Sequence, residues 1–398
     1  MSNILSRIGP GMMLAAVGVG VSHLVYSTQA GADYGLSLLW LIIGVTLIKY
    51  PAFRFAVDYA NATGESLVRA YGEISKLALV WLMVGFIVDT FIATSAVSMV
   101  TAGLFISVFD VPYNAPQVAI AITLVSALIL MNGQYAKAEK LVKVLVLVFS
   151  LLTLIALFFS LPLLGSNERD VFANLTIDIP LSLFVIAVAG WMPMPTNGAI
   201  LFSKWVCEKR KISGKEFKDE DALRDFKVGY FLTLFLAICF VILGTAVLFQ
   251  TGRSVPVTPP EFAAELFSVF TETIGDWSYP IIASAGLAVM WSTQIALMDV
   301  MPRLTDRLSG VMMGRSMDLP DRYKLFSAIQ VIGIIIILLF LLSSFKAFLY
   351  FATSVGLIAA PTIGYYNYLA ITSEKIPAKY RPNTTLVIWN WACIFIMT

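Results

Sequence analysis

The chain has 398 residues, of which 59% are hydrophobic and only 13% are charged, and its mean hydropathy is +0.84. A soluble globular chain is about 45–50% apolar and about 25% charged, so this composition excludes a soluble protein. The net charge of +2 comes without a basic stripe interleaved with aromatic residues, which excludes a nucleic-acid partner. The three cysteines, Cys207, Cys239 and Cys393, lie far apart in apolar segments and indicate neither disulfides nor a metal site.

Apolar segments long enough to cross a bilayer core of about 30 Å recur along the whole chain. We call each predicted crossing a span and number the spans in chain order. The first segment lacks a small-x-small cleavage pattern, so we expect it to remain as span 1. The sequence therefore predicts an all-α, multi-pass membrane protein with one transmembrane domain over 1–398. The eleven spans lie near residues 9–33, 36–57, 77–108, 115–132, 138–163, 180–204, 227–250, 277–301, 325–343, 346–371 and 384–398.

The positive charges test this division of the chain, because Lys and Arg accumulate in cytoplasmic loops. With the N-terminus in the cytoplasm, all but three of the 27 Lys and Arg residues fall on the inner side, Lys49 counted among them. Only Arg169, Arg253 and Lys346 fall outside. The charges therefore predict a protein of the inner or plasma membrane with a cytoplasmic N-terminus. The polar segment 204–227 is of mixed sign and too short for a domain, so we interpret it as a cytoplasmic loop.

Two spans carry sequences that interrupt a helix at mid-membrane. Span 1 contains Gly18-Val19-Gly20-Val21-Ser22-His23, and each glycine costs a helix about 1 kcal/mol relative to alanine. Span 6 contains Trp191-Met192-Pro193-Met194-Pro195-Thr196-Asn197, where two prolines remove two backbone donors. Unpaired backbone at that depth is tolerated only when it is buried in protein or lines a wet cavity. The two breaks predict a substrate site where they meet.

The breaks lie in spans 1 and 6, an offset of five spans. This spacing is typical of transporters built from two inverted repeats, whose substrate sites lie at paired broken helices. We expect one repeat over about 9–163, a second over about 180–371, and an extra helix over about 384–398.

The residues resemble those of the Nramp family of proton-coupled divalent metal transporters. The resemblance rests on Gly9-Pro10-Gly11, Gln29-Ala30-Gly31-Ala32 and Leu38-Leu39-Trp40, which match the first two helices of the family without a gap, and on Thr63-Gly64-Glu65. It implies a LeuT-like fold of two inverted five-helix repeats plus an eleventh helix, with helices 1 and 6 unwound at mid-membrane.

The metal-binding motifs of the family are altered. Its Asp-Pro-Gly-Asn becomes Gly20-Val21-Ser22-His23, and its Met-Pro-His-Asn resembles Met194-Pro195-Thr196-Asn197, with Met192-Pro193 as an alternative match. If Met194 is the match, the position where the family offers a backbone carbonyl beside an alanine is Trp191. The altered motifs offer a thioether, an imidazole, hydroxyls and an amide but no anion, whereas Mg²⁺ and Mn²⁺ prefer carboxylates. The residues therefore favour a soft or borderline metal, a hydrated ion or a neutral solute, and the metal stays unknown.

Several side chains are candidates for function, each with a structural alternative. His23, the single histidine, could bind substrate or carry a proton, or be a neutral packed imidazole. Asp89 lies within the apolar span 3, where carboxylates commonly mark ion or proton paths, and it resembles one of two acids that the family places on its proton route. The second acid is absent, with Ile92 at its spacing, so coupling by His23 and Asp89 is a hypothesis. The predicted substrate-binding residues are Gly20, Ser22, His23, Trp191, Met194, Thr196, Asn197 and Gln294.

We expect a secondary transporter, with a divalent metal as substrate by family analogy. A transporter of a neutral or organic solute or of another ion, and a non-transporting sensor or scaffold, are the alternatives. No nucleophile-base pair, zinc motif or GxxxxGK[ST] loop occurs, so we expect no enzymatic activity, no cofactor and no ATPase of its own. The expected partners are the lipid bilayer and a small substrate.

Overall fold

The computed structural model describes a helical chain with an isolated β-bridge between Gly35 and Phe172. Its described residues are 9–131, 135–165, 170–213, 217–256, 258–314, 322–341 and 344–398. Seven of the described helical segments are long and apolar enough, by length and composition, to cross a membrane, and three shorter apolar helices accompany them. This agrees with the predicted multi-pass membrane protein.

The described residues contain sixteen α-helices, and several of these are continued by a turn of π-helix. The helices of the first half are α1 (Pro10–Gly18), α2 (Thr28–Tyr34), α3 (Leu39–Thr63), α4 (Leu67–Ile74), α5 (Lys76–Val88), α6 (Thr94–Phe109), α7 (Ala115–Met131) and α8 (Tyr135–Ser160). Those of the second half are α9 (Ile179–Trp191), α10 (Gly198–Ser213), α11 (Asp219–Leu243), α12 (Pro259–Ile274), α13 (Tyr279–Met312), α14 (Tyr323–Ile336), α15 (Phe345–Thr372) and α16 (Thr384–Met397).

The predicted spans correspond to these helices in order. Span 1 is α1 and α2, span 3 is α5 and α6, span 6 is α9 and α10, and each remaining span is one helix. Two further helices, α4 and α12, occupy connections in which the sequence analysis predicted no helix. They join span 2 to span 3 and span 7 to span 8, positions that are again five spans apart. The two connecting helices are therefore equivalent in a fold of two repeats, while the residue limits of the repeats stay predictions.

The helix α12 was missed because it begins inside a polar, proline-containing segment. Pro259 and Pro260 occupy its first turn, where a missing backbone N–H costs nothing. Gly275 follows its last residue with φ of 107°, a conformation that favours glycine. One face of α12, including Phe262, Leu266 and Phe270, is buried in the core. Its alternation of buried and exposed residues gives an amphipathic helix rather than a uniformly apolar span.

The two halves of span 1 lie along α11, α9 lies along α15, and α10 lies along α3. Span 1 and span 7 approach closely because both carry glycine at the contact. A Cβ on Gly31 would lie 2.1 Å from the Val241 carbonyl oxygen, and one on Gly244 would lie 2.4 Å from the Thr28 carbonyl oxygen. Small residues at such contacts are what allow membrane helices to come together.

The buried apolar residues form two large clusters, and the breaks lie between them. One cluster contains Val19, Val21, Trp191 and Met192 together with the α2, α6 and α9 halves of the broken or bent spans. The other contains Leu14 and Met194 with the α1, α5 and α10 halves. Each broken span therefore has one half in each cluster, and the interruptions fall where the clusters meet.

Candidate functional site

The break in span 1 is short. The helix α1 ends at Gly18, and Val19 leaves the helical conformation with φ of −75° and ψ of 66°. A π-helical segment over Ser22–Ser27 then leads into α2. The Ser22 hydroxyl lies 3.0 Å from the carbonyl oxygen of Gly18, which also accepts the backbone N–H of Gly20 over 2.8 Å. Ser22 therefore helps to close the end of the helix that precedes it.

The break in span 6 is longer and is made by proline. The helix α9 ends at Trp191, Met192 is extended with φ of −86° and ψ of 134°, and α10 begins only at Gly198. Pro193 and Pro195 lack the backbone N–H that a continuous helix would need. The segment 192–197 therefore crosses the region between the two apolar clusters as a non-helical link, with Met192 N–H bonded back to Val188 and the carbonyls of Pro195, Thr196 and Asn197 bonded to the first turn of α10.

The two breaks meet. The Ser22 hydroxyl lies 3.2 Å from the carbonyl oxygen of Pro193, so a backbone carbonyl released by the span 6 break contacts a side chain of the span 1 break. This contact agrees with the prediction that the two interruptions come together.

His23 is fully buried and faces span 7. Its Nε2 lies 2.9 Å from the carbonyl oxygen of Thr233, and its Nδ1 lies 2.9 Å from the Ser22 hydroxyl oxygen. A carbonyl only accepts, so Nε2 carries the proton, and the single Ser22 proton serves Nδ1, the Gly18 carbonyl or the Pro193 carbonyl, one acceptor at a time. Both ring nitrogens thus have a protein partner, and His23 connects the span 1 break to α11.

A cavity with an empty volume of about 580 Å³, part of it open to the surroundings, lies between the two breaks and spans 3 and 8. Its polar side chains are Ser22, Asp89 and Thr293, and two thioethers, Met194 and Met301, also face it. The remaining lining residues are mostly small or apolar. They are Val17, Gly18, Gly20, Val21, Ala93, Val97, Trp191, Pro195, Gly198, Leu201 and Leu297.

Asp89 is the carboxylate of this cavity, and it is held by span 6. The amide nitrogen of Asn197 donates to Asp89 Oδ2 over 2.8 Å, and Asn197 directly precedes α10. Asp89 begins the π-helical segment Asp89–Ala93, which joins α5 to α6. Such π turns often occur at functional sites. Gly85, one turn earlier, leaves room for Asn197, because a Cβ there would lie 2.8 Å from the amide nitrogen.

Lys49 is a second ionisable group at the span 6 break, and the sequence analysis counted it among the cytoplasmic charges. Its side chain is 1% exposed. Its Nζ lies 2.7 Å from the carbonyl oxygen of Gly190 and 3.5 Å from that of Met194. The available signal was a lysine well inside the apolar span 36–57, because ionisable groups at such depth are rare and commonly functional.

The predicted substrate-binding residues divide into two groups. Gly20, Ser22, Trp191 and Met194 line the cavity. His23, Thr196, Asn197 and Gln294 lie outside its wall. The Thr196 hydroxyl is buried without a partner, and Gln294 is turned toward span 4, where its amide nitrogen lies 3.1 Å from the Thr123 hydroxyl oxygen. Its neighbour Thr293, which the sequence analysis did not select, lines the cavity instead.

The donor set bears on what the cavity can bind. Over the described part of the chain, no group of three or more His, Cys, Asp or Glu side chains is arranged to hold a metal ion. A carboxylate, two hydroxyls and two thioethers instead face one space. These groups can hold a partly hydrated cation, with the carboxylate supplying charge and the sulfurs supplying soft contacts. The apolar remainder of the wall limits how many waters can be hydrogen-bonded at once.

Comparisons with known proteins agree with this architecture. The chain is 29% identical over 368 residues to an uncharacterized protein from Pasteurella multocida (strain Pm70), covering 91% of this chain and 84% of that protein. It is similar in structure to a mutant of the Eremococcus coleocola manganese transporter, with a TM-score of 0.71, 17% identity, and coverage of 100% of this chain and 85% of that one.

Transporters with other substrates share the fold. MhsT in complex with L-phenylalanine matches with a TM-score of 0.65 and 14% identity, over 97% of this chain and 95% of that one. Mhp1, a nucleobase-cation-symport-1 family transporter, matches with a TM-score of 0.61 and 14% identity, over 96% and 83% of the two chains. At these identities the likeness shows the fold alone, a LeuT-like arrangement with broken spans 1 and 6. The sequence model described as "Natural resistance-associated macrophage protein-like" matches residues 11–398, so the chain belongs to the Nramp family of membrane transporters.

Proposed function

We propose that this protein is a secondary transporter that carries a divalent metal cation by alternating access around the cavity between the two breaks. The observation that supports the proposal best is the position of Asp89, a carboxylate facing that cavity beside Met194 and Met301. A dry site for a divalent ion needs compensating negative charge, because moving even one ion out of water costs on the order of 20 kcal/mol before compensation. Asp89 supplies from span 3 the anion that the altered motif of span 1 lacks.

The ligands favour a borderline metal over a hard one. Thioethers are soft ligands, whereas Mg²⁺ and Ca²⁺ are coordinated by oxygen. The structural neighbour from Eremococcus coleocola is named as a manganese transporter, which makes Mn²⁺ the first cation to test. Cd²⁺ is the softer comparison.

The same site supports a role for Asp89 in coupling. The carboxylate lies at the cavity and accepts a hydrogen bond from Asn197, so it can gain or lose a proton as the cavity fills or empties. His23 has both ring nitrogens bonded to protein groups, which leaves Asp89 as the proposed proton carrier. We further propose the orientation that the loop charges favour, with the N-terminus in the cytoplasm of a cell or inner membrane.

A neutral or organic solute is the second candidate. It is supported by the mostly apolar wall of the cavity and by Lys49, a basic side chain whose Nζ donates to the Gly190 carbonyl on the other side of the span 6 break. With both side chains charged, the break region is neutral overall, which lowers the attraction for a free cation.

Uptake into proteoliposomes tests the proposal. Radioactive Mn²⁺ and Cd²⁺ should accumulate faster than Mg²⁺ or Ca²⁺, and an inwardly directed proton gradient should accelerate both. The proposal that the substrate is a metal cation would be contradicted if no cation were taken up and calorimetry showed no heat of binding. Uptake of labelled amino acids or nucleobases under the same gradient would instead support the second candidate.

A matched pair of methionine variants examines the ligand set. Met194→Leu removes a thioether from the cavity, whereas Met192→Leu makes the same change two residues earlier at a buried position outside the wall. We expect Met194→Leu to lower Cd²⁺ uptake about threefold or more relative to Mn²⁺ uptake, since sulfur contributes more to the softer ion. Met192→Leu should leave that ratio unchanged, and the opposite pattern would assign the family methionine to Met192.

A further inference from the structure

Lys49 belongs to α3 of span 2, and its side chain reaches the C-terminal end of α9, the first half of span 6. Its Nζ is 2.7 Å from the carbonyl oxygen of Gly190, the residue before the last residue of α9, and 3.5 Å from the carbonyl oxygen of Met194 inside the break. The last carbonyls of a helix have no partner within the helix. The N–H that a continued helix would offer to the Gly190 carbonyl belongs to Met194, which lies in the break beyond the end of α9. Lys49 reaches these carbonyls from α3, a different span.

Electrostatics favours a cation at this position. The C-terminal end of a helix carries about half a negative charge, and cations there are stabilising, most strongly when they are buried. No described carboxylate lies within 4.0 Å of the Lys49 ammonium, so carbonyl oxygens rather than an acid hold it. Carbonyl oxygens at the end of an unwound half-helix are also what coordinates soluble cations in transporters with broken helices.

The opposite end of the break has the opposite charge. Asn197, which directly precedes α10, is bonded to the carboxylate of Asp89. The N-terminal end of a helix favours an anion for the same reason that the C-terminal end favours a cation. The break in span 6 is thus bounded by Lys49 from span 2 at the end of α9 and by Asp89 from span 3 near the start of α10.

We infer that the Lys49 ammonium is a tethered cation that fills a carbonyl-lined cation position at the end of α9, where a soluble monovalent cation would otherwise be needed to hold the break open. Lys49 is a positioning residue, since it contacts the backbone of the break and does not line the cavity. The role does not depend on which solute is carried.

Chemical rescue of Lys49→Ala tests this inference. The variant removes three methylene groups and the ammonium, a space that matches propylammonium. We expect its thermal unfolding midpoint in detergent to fall and then to rise in proportion to the logarithm of the propylammonium concentration, as binding to the folded state alone requires. The uncharged isostere 1-propanol should not raise it, and neither compound should raise the midpoint of the unaltered protein. Equal effects of the amine and the alcohol would overturn the inference, because filling the space alone would then suffice.

Two further variants separate charge from volume. Lys49→Met keeps most of the stem without the charge, and it should unfold at the same lowered temperature as Lys49→Ala. Lys49→Arg keeps a charged donor and should lose less. A Lys49→Met protein as stable as the original would overturn the proposal. If Lys49→Ala is not recovered in folded form, its yield when purified with propylammonium, compared with 1-propanol, becomes the readout. Because these are stability measurements, they remain informative even if the protein carries no metal.

Discussion

Both interrupted spans leave backbone polar groups without helical partners at mid-membrane, and the two breaks compensate for this in different ways. In span 1 the break takes a few residues and is closed by uncharged contacts, with His23 donating to the Thr233 carbonyl and the Ser22 hydroxyl within hydrogen-bond distance of the Gly18 and Pro193 carbonyls. In span 6 the break covers 192–197, and charged side chains from other spans meet both of its ends. The first break is tied to the scaffold of span 7, whereas the second depends on groups that can change their charge or move away.

This difference bears on which of the two breaks would respond to a bound ion or a proton during transport. Neutral hydrogen bonds to buried carbonyls contribute about 1 kcal/mol each and do not respond to ions. A buried charge without a partner costs free energy. Protonation of Asp89, or loss of a cation bound to it, would therefore shift the conformational equilibrium of span 6. Under the proposed function, the break in span 6 is the element that a substrate or a proton biases, and the break in span 1 gives it a fixed contact through Ser22.

The largest expected effect comes from removing the charge at the second break. Asp89→Asn should lower metal uptake about tenfold or more, a loss of about 1.4 kcal/mol of transition-state stabilisation, since the cavity loses its carboxylate. The amide can still hydrogen-bond to Asn197, so the fold should persist. Proteoliposome uptake of Mn²⁺ measures the change. Asp33→Asn serves as the control, because Asp33 lies on α2 outside the cavity wall and accepts a hydrogen bond from Gln29. Equal losses of Mn²⁺ uptake in the two variants would mean that Asp89 has no specific role in transport.

Glycines from the two breaks give the second comparison. A Cβ on Gly190 would lie 1.9 Å from the Thr353 carbonyl oxygen of span 10, whereas one on Gly20 would meet its nearest neighbours at 3.5 Å. We expect Gly190→Ala to cost about 1–3 kcal/mol or more through forced separation of α9 and α15. Gly20→Ala should change stability by less than about 1 kcal/mol. Thermal unfolding in detergent checks both, and a Gly20→Ala protein as unstable as Gly190→Ala would show that the first break also requires its glycine.

The sequence predicts the spans and the breaks well because both depend on local properties. A run of apolar residues must be long enough to cross the bilayer, and this can be counted along the chain. Pro193 and Pro195 interrupt a helix wherever they stand. The five-span offset between the breaks then predicts the inverted-repeat architecture that the fold has.

The side-chain directions at the site could not be read in the same way. Gln294 and Thr293 are neighbours, and a helix turns by about 100° per residue, so only one of them can face the cavity. In a membrane helix both the lipid face and the protein face are apolar, which removes the pattern that would identify the inner face. Lys49 was counted with the cytoplasmic charges although it lies within the predicted span 36–57, because its position in span 2 does not reveal that its long side chain reaches the end of α9.

The smallest expected change in transport comes from the first break. His23→Ala removes two buried hydrogen bonds, to Ser22 and to the Thr233 carbonyl, which should together cost about 1–3 kcal/mol of stability. Since His23 lies outside the cavity wall, the KM for metal should change by less than about threefold in the protein that folds. His23→Gln can again present an N–H toward the Thr233 carbonyl and should recover part of the stability. A KM that rises tenfold in His23→Ala while its unfolding midpoint stays unchanged would make His23 a ligand of the substrate. It would also end the contrast between a neutral, structural break in span 1 and a charged, responsive one in span 6.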